Sequence, residues 1–235
     1  MEHLLNRRKH IWRGELVLLA AVYISSMGVS FMIYSGAGIS AISSVPYAFS
    51  AVLPQLSLGT WTYLFQGFLV ISLMFLRRKF VPQYLFSFVV GFGFGILLDF
   101  HGFWIYALPD APACSFFYFF VGYALICVGI ALSNRCGLPI VPTDLFPREL
   151  SGITGVSYAR IKVFFDLSCL ALTAGMTGIF LGSFEGLGIG TIAAALTVGK
   201  TVSVIGSLID RKVRVVSFMT ERAVRYPGSL PINPN

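Results

Sequence analysis

Six long apolar stretches dominate this sequence and restrict what the chain can fold into. Each has 19 to 23 residues, and they cover residues 16–34, 58–76, 80–98, 113–133, 161–181 and 187–209. At about 1.5 Å per helical residue, each can cross the roughly 30 Å hydrocarbon core of a bilayer. Helices are expected because lipid offers no partner to backbone N–H and C=O groups. The sequence therefore predicts an all-α polytopic membrane protein with six transmembrane helices, in a single membrane domain over residues 1–235.

The charged residues, only 11% of the chain, predict how these helices are oriented. With six spans, the N-terminus, the second and fourth loops and the C-terminus share one side, and 16 of the 17 Lys and Arg residues fall there. Asp99, Asp110 and Glu185 fall on the other side. Because cytoplasmic segments carry the excess of Lys and Arg, both termini are predicted in the cytoplasm, with residues 211–235 as a basic tail.

The net charge of +7 also bears on the partners of the chain. The basic residues lie next to the ends of the spans rather than on one face, which is typical of attraction to anionic headgroups and not of nucleic-acid binding. The predicted partner is therefore the lipid bilayer and not a nucleic acid.

The six spans divide into two halves, residues 1–106 and 107–210. In each half an unusually apolar loop follows the first span, at 35–57 and 134–160, and each loop contains Gly and Pro and has room for a short helix. With an offset of 101, three pairs of residues are identical: Gly28 and Gly129, Gly36 and Gly137, and Ile39 and Ile140. A duplicated unit with three spans must insert its second copy upside down, so the pattern predicts a 3+3 inverted repeat with a broken or re-entrant segment in each half.

The two broken segments are the first candidate for a binding site. A helix that begins inside the membrane leaves backbone N–H groups unpaired at its start, with a partial positive charge. Thr143 and Asp144 are good N-cap residues for such a helix, and Ser43 and Ser44 are weaker ones. Interrupted segments at matching positions of two halves point to the binding site of a transporter. The alternative is that both segments are amphipathic loops on the surface and bind no ligand.

Two ionisable residues stand out within the predicted spans, where charges are costly and usually functional. Asp166 lies in the fifth span, and Lys200, the basic residue that the orientation leaves unexplained, lies in the sixth. A Lys200–Asp166 pair facing the interior of the bundle is the simplest arrangement for both groups. Lys200 is a candidate for holding an anionic substrate and Asp166 for relaying a proton or binding a cation. The alternative is a pair that only fixes helix packing.

Gly186, Gly188 and Gly190 open the sixth span and superficially resemble a nucleotide-binding loop. The preceding strand and the acidic residue that such a loop requires are missing, so close helix packing or a mobile helix start is expected instead. His3, His10 and His101 are too scattered for a metal site, and the four cysteines have no C-x-x-C spacing. We therefore expect no cofactor and no metal, and we find no residue set that indicates an enzyme.

Two segments resemble a known family. The run from Gly137 to Asp144, GLPIVPTD, resembles the G-x-x-x-x-P-x-D element of the YczE/YitT-type bacterial membrane proteins. The Gly-rich run at 186–199 resembles the sixth-span signature of the YczE branch, and the similarity covers roughly residues 15–210. The first half departs from the pattern, with Ala41 and Ser43 in the places of Pro142 and Asp144. The second half is therefore the stronger candidate for a functional role. The resemblance implies an integral protein of the bacterial inner membrane and does not imply an activity.

These patterns together lead to a functional expectation. The first hypothesis is a secondary transporter of a small molecule or ion, without ATP and with a site near the membrane midplane. The candidate binding residues are Lys200, Asp166, Asp144, Thr143, Ser43, Gly137, Gly188 and Gly190. The second hypothesis is a non-transporting regulator or partner of an enzyme, which would use the basic cytoplasmic segments. A homodimer is possible because several spans have faces of small residues.

Overall fold

The computed structural model describes residues 10–218, which form eight α-helices and two short β-strands. In chain order the elements are β1 (His10–Arg13), α1 (Gly14–Ser35), α2 (Ala41–Val52), α3 (Leu58–Arg77), α4 (Pro82–Ile105), α5 (Pro112–Ser133), α6 (Pro142–Thr154), α7 (Tyr158–Leu181), α8 (Ile189–Lys212) and β2 (Val213–Val216). Six of the helices are long and apolar enough to cross a membrane, as the sequence predicts. The short helices α2 and α6 lie in the two apolar loops where short helices were expected.

The third long helix, α4, extends beyond its predicted span. The apolar stretch ends at residue 98, but α4 continues to Ile105 and includes Asp99. The Asp99 carboxylate accepts hydrogen bonds from Ser57 Oγ at 2.6 Å and from the backbone N–H of Gly59 at 2.8 Å. A carboxylate at a helix start satisfies unpaired N–H groups and favours the dipole. Asp99 therefore holds the start of α3 against α4.

The starts of the short helices differ in detail from the prediction. In α2 the cap is Ser40, whose hydroxyl accepts the N–H of Ser43 at 3.4 Å. In α6 the helix already begins at Pro142, the cap residue is Val141, and no side chain caps it. Thr143 and Asp144 therefore lie in the first turn and are not N-caps. The reason is that proline fits the first helical position, because the N–H that it lacks would have no partner within the helix there.

Helices α1 and α5 form the centre of the bundle and cross in antiparallel directions at small residues. A Cβ on Gly28 would lie 2.8 Å from the Gly122 carbonyl oxygen, and a Cβ on Gly122 would lie 2.7 Å from that of Gly28. Farther along the same crossing, a Cβ on Gly129 would lie 3.0 Å from the carbonyl oxygen of Ala21. The other helices pack around this pair, α4 against α1 and α8 against α5.

The bundle has two chemically different ends. We call the "basic end" the one where α3, α5 and α8 finish, at Arg77, Arg135 and Arg211. Two ion pairs lie there, Arg77 with Glu149 at 2.6 Å and Arg135 with Asp210 at 2.7 Å. We call the other end the "opposite end"; there the Tyr34 hydroxyl donates to the Leu108 carbonyl at 2.6 Å. The grouping of positive charge at one end agrees with the charge pattern read from the sequence.

The sequence did not indicate the small sheet formed at the basic end. Strand β1 pairs in parallel with β2, with His10 opposite Val213 and Arg13 opposite Val216. Beyond the sheet, the Phe218 N–H donates to Glu15 at 2.8 Å, so the segment after α8 is held against the start of α1. Within the predicted tail at 211–235, α8 thus ends at Lys212 and β2 follows it, and the residues after 218 lie outside the described chain.

Candidate functional site

Helix α6 begins at mid-height of the bundle and ends at the basic end. Before it, Gly137 turns the chain with a φ of 67°, and its carbonyl accepts the Ser217 hydroxyl at 3.1 Å beside the terminal sheet. The chain then runs inward to Pro142, whose Cδ would lie 3.0 Å from a Cβ on Gly91. Gly91 is the tenth residue of α4, so this point lies about 13 Å from the end of that helix. Helix α6 returns to the basic end, where Glu149 meets Arg77.

Helix α2 also begins away from both ends of the bundle. Ser44, in its first turn, is fully buried and its hydroxyl lies 2.8 Å from that of Thr173 in α7. Thr173 precedes the last residue of α7 by eight positions, which is about 12 Å along the helix. The first turns of both short helices therefore lie in the middle of the molecule.

A cavity of about 670 Å³ lies where these two helix starts meet. It separates α7 from α8 and reaches α1 and α5, and it extends to Arg135 and Tyr158 at the basic end. Much of its wall is apolar, with Val22, Val29, Phe94, Ile126, Ile130 and Val198 among the lining residues. Its hydroxyl groups include those of Ser25, Ser40, Ser43, Ser133, Thr143 and Ser203. Apolar walls with a few convergent polar groups are typical of small-molecule sites.

Five of the eight residues that the sequence nominated line this cavity: Lys200, Asp166, Asp144, Thr143 and Ser43. They come from four different helices, and the fold brings them together. Gly137, Gly188 and Gly190 are elsewhere. Gly137 forms the turn at the basic end described above, and the other two glycines close the opposite end.

The charge pair in the cavity is not the one expected. Asp166 is bound by Lys162, whose Nζ lies 2.6 Å and 2.7 Å from the two carboxylate oxygens. Lys162 is one helical turn away in the same helix, and residues four apart on a helix are neighbours. Among residues 10–218, Lys200 has no ion pair, so the expected Lys200–Asp166 pair was wrong.

The Asp144 carboxylate likewise has no hydrogen bond or ion pair within the described chain. A positive charge brought close to a partly buried carboxylate without a partner stabilises its charged form. Asp144 is therefore a group that a ligand can satisfy.

Sequence reasoning missed several polar residues of the cavity, and Arg135 and Ser133 are two of them. Arg135 had been counted as a charged flank of the fourth span, but it lines the cavity and its guanidinium binds Asp210 through two nitrogens, each at 2.7 Å. Ser133 is 5% exposed, and its hydroxyl has no hydrogen-bond partner within residues 10–218. No pattern in the sequence singles out Ser133, because its position depends on how α5 packs.

The opposite end of the cavity is closed by the segment before α2 and the start of α8. The Gly190 N–H donates to the Ala37 carbonyl at 3.1 Å, and the Ile39 N–H donates to Thr191 Oγ1 at 3.0 Å. A Cβ on Gly190 would lie 2.7 Å from the Ala37 oxygen, and one on Gly188 would lie closer still. The glycines at 188 and 190 thus allow a direct backbone contact that blocks this end.

Replacing Lys162 with methionine should destabilise the protein. The side chains of Lys162 and Asp166 are 27% and 14% exposed, and removing one partner leaves a poorly solvated charge. The expected loss is about 3 kcal/mol in the free energy of unfolding, measured by thermal or denaturant unfolding in detergent. The double variant Lys162→Met/Asp166→Leu should recover most of that loss. Equal stability of the single and double variants would show that the pair is fully solvated.

Comparisons with known proteins give a family but no function. The chain matches a family described as "Family of unknown function (DUF6198)" over residues 12–207. No curated protein and no solved structure matches the chain.

Proposed function

The chain belongs to the DUF6198 family of unknown function, and we propose that it is a secondary transporter that moves a small molecule or ion across the bacterial inner membrane without ATP. The observation that carries this proposal is the cavity into which the first turns of α2 and α6 both project. Transporters of this kind bind their substrate near the midplane, at the starts of broken helices where backbone groups are unpaired. The resemblance to the YczE/YitT family stays a prediction.

Matching local features support an inverted repeat. Helix α2 starts at residue 41 and α6 at residue 142, an offset of 101. With the same offset, Pro46 inside α2 corresponds to Pro147 inside α6. Gly36 and Gly137 correspond as well and have nearly the same φ, 65° and 67°. We infer that the two halves arose from one unit of three long helices and one short one.

The packing between the halves supports the same proposal. In the proposed repeat, α2 corresponds to α6 and α3 corresponds to α7. Helix α2 packs on α7 and helix α6 packs on α3, so each short helix packs on the same long helix of the other half. The contacts at the α1–α5 crossing follow the same rule. With the offset of 101, Gly28 corresponds to Gly129 and Ala21 to Gly122, so the contact of Gly28 with Gly122 corresponds to that of Gly129 with Ala21. A two-fold axis through the α1–α5 crossing, in the plane of the membrane, accounts for both exchanges.

One pair of helices is arranged differently in the two halves, and this difference supports transport. Helices α3 and α4 pack closely at Gly59 and Gly95, where a Cβ on Gly95 would lie 2.6 Å from the Gly59 carbonyl oxygen. Their counterparts α7 and α8 are instead separated by the cavity. Two equivalent halves in two different arrangements are what alternating access requires, since each half can adopt the arrangement of the other.

The charges support an orientation for this state. By the excess of Lys and Arg, the basic end faces the cytoplasm and both termini lie there. The cavity extends to the basic end and is blocked at the opposite end by the contact of Ala37 with Gly190. In the proposed cycle this is an inward-facing conformation.

Cysteine labelling tests transport without knowledge of the substrate. Ser43 is replaced by cysteine in a chain whose four native cysteines are changed to alanine, and a membrane-impermeant maleimide is applied from each side of the membrane. A transporter should be labelled at position 43 from both sides, because the cavity opens alternately. Lys79→Cys and Asp110→Cys, at the basic and opposite ends, serve as controls for sidedness.

Labelling of position 43 from the cytoplasmic side alone, with both controls behaving as designed, would contradict transport. That outcome would favour the second function, a regulator or partner of an enzyme that uses a cytoplasmic pocket.

A further inference from the structure

Some of the charged side chains that line the cavity have a partner of opposite charge in the protein, and others do not. Lys162 is paired with Asp166, and Arg135 is paired with Asp210. Asp144 and Lys200 have no ion pair within residues 10–218, although both line the cavity. The cavity thus offers one unpaired negative and one unpaired positive group.

These two groups line the same cavity, and both lie away from the ends of the bundle. Asp144 is in the first turn of α6, which begins at mid-height of the bundle. Lys200 is the twelfth of the 24 residues of α8. A single small molecule in the middle of the cavity can therefore face both side chains.

We propose that the cavity binds a zwitterion of the amino-acid type, with its ammonium group at Asp144, its carboxylate at Lys200 and its apolar body between them. The proposal rests on the transport function above and names its substrate class. A ligand with only a carboxylate would leave Asp144 unpaired and repelled, and one with only an ammonium group would be repelled by Lys200. A zwitterion satisfies both groups at once.

The remainder of the cavity suits the body of such a molecule. Val29, Phe94 and Val198 supply apolar surface. The Ser133 hydroxyl, buried without a hydrogen-bond partner in the described chain, can serve a polar atom of the ligand. The volume of about 670 Å³ lies within the usual range for small-ligand sites and leaves room for waters around an amino acid.

Matched sets of compounds test the class directly. Leucine is compared with 4-methylpentanoate, which lacks the ammonium group, and with 3-methylbutylamine, which lacks the carboxylate. Phenylalanine is compared in the same way with 3-phenylpropanoate and 2-phenylethylamine. The readout is thermal stabilisation of the purified full chain, because a ligand that binds only the folded state raises its apparent stability.

We expect at least one of the two amino acids to stabilise the protein at a concentration about tenfold or more below that needed for its single-charge analogues, a difference equal to one lost charge contact. Asp144→Asn should remove the advantage of the amino acid over the carboxylate analogue. Lys200→Met should remove its advantage over the amine analogue. Asp110→Asn and Lys212→Met, charge changes outside the cavity, should preserve the full preference.

Equal stabilisation by a single-charge analogue, no stabilisation by either amino acid, or an unchanged preference in Asp144→Asn and Lys200→Met would each overturn the proposal. The labelling of position 43 is independent of these compounds. If labelling occurs from both sides while the amino acids fail, transport stands and the substrate class falls. If the amino acids bind while labelling occurs from one side only, the binding site stands and transport falls.

Discussion

Replacing Gly188 with alanine should open the end of the cavity that is closed in this structure. The backbone of Gly188 has a φ of −146°, which alanine adopts without strain. The new Cβ would instead collide with the Ala37 carbonyl oxygen. Because that oxygen belongs to the backbone, no side-chain rotation can relieve the contact. The start of α8 must therefore move away from Ala37 and weaken the hydrogen bond from Gly190.

The measurement is the rate at which an impermeant maleimide labels a cysteine at position 43 from the side of the opposite end. We expect an increase of about tenfold, which corresponds to a shift of about 1.4 kcal/mol between the closed and open arrangements. Gly175→Ala, a helical position where an added Cβ meets nothing within 4 Å, is the control and should leave the rate unchanged. The role assigned to Gly188 would be refuted by equal labelling rates in the two variants.

Replacing Gly122 with valine should cause a large loss of stability. At the crossing of α1 and α5 a Cβ at this position would lie 2.7 Å from the Gly28 carbonyl oxygen and 2.9 Å from the Met32 backbone nitrogen. Both atoms belong to the backbone of α1, so the two central helices must separate. Since α1 and α5 carry much of the buried core, we expect a loss of about 3 kcal/mol in the free energy of unfolding.

Thermal unfolding in detergent measures this effect. The matched control is Gly93→Val in α4, because a Cβ on Gly93 meets nothing within 4 Å. The control should unfold close to the wild type, while Gly122→Val should unfold at a clearly lower temperature. Similar unfolding temperatures for both variants would mean that the central crossing adapts to a larger residue.

The long helices were predictable because a chain in lipid must satisfy its backbone internally, which leaves a continuous apolar run as a clear signal. The short helices were predictable from the prolines and glycines that interrupt two unusually apolar loops. The starts of these helices were less so: Thr143 and Asp144 fit an N-cap by residue type, but Pro142 already occupies the first helical position. Residue preference alone does not decide which of three consecutive residues begins a helix.

The candidate site was predictable as a set of residues but not as an arrangement. Lys200 and Asp166 stood out because charges within apolar runs are rare, and both do line the cavity. The predicted pair was wrong because Asp166 has a nearer partner: Lys162 lies four positions before it in the same helix, a spacing that suits an ion pair. The separation of α7 from α8 results from packing between the halves, which leaves no local pattern in the sequence.

The parallel pairing of β1 with β2 also limits how the molecule can move. It joins the beginning of α1, in one half, to the end of α8, in the other, through backbone hydrogen bonds at the basic end. The described chain is therefore nearly a closed ring, and its two halves cannot drift apart at that point while the sheet persists. A rocking motion of one half on the other must pivot close to the sheet, so that displacements grow with distance from it and are largest where Ala37 meets Gly190.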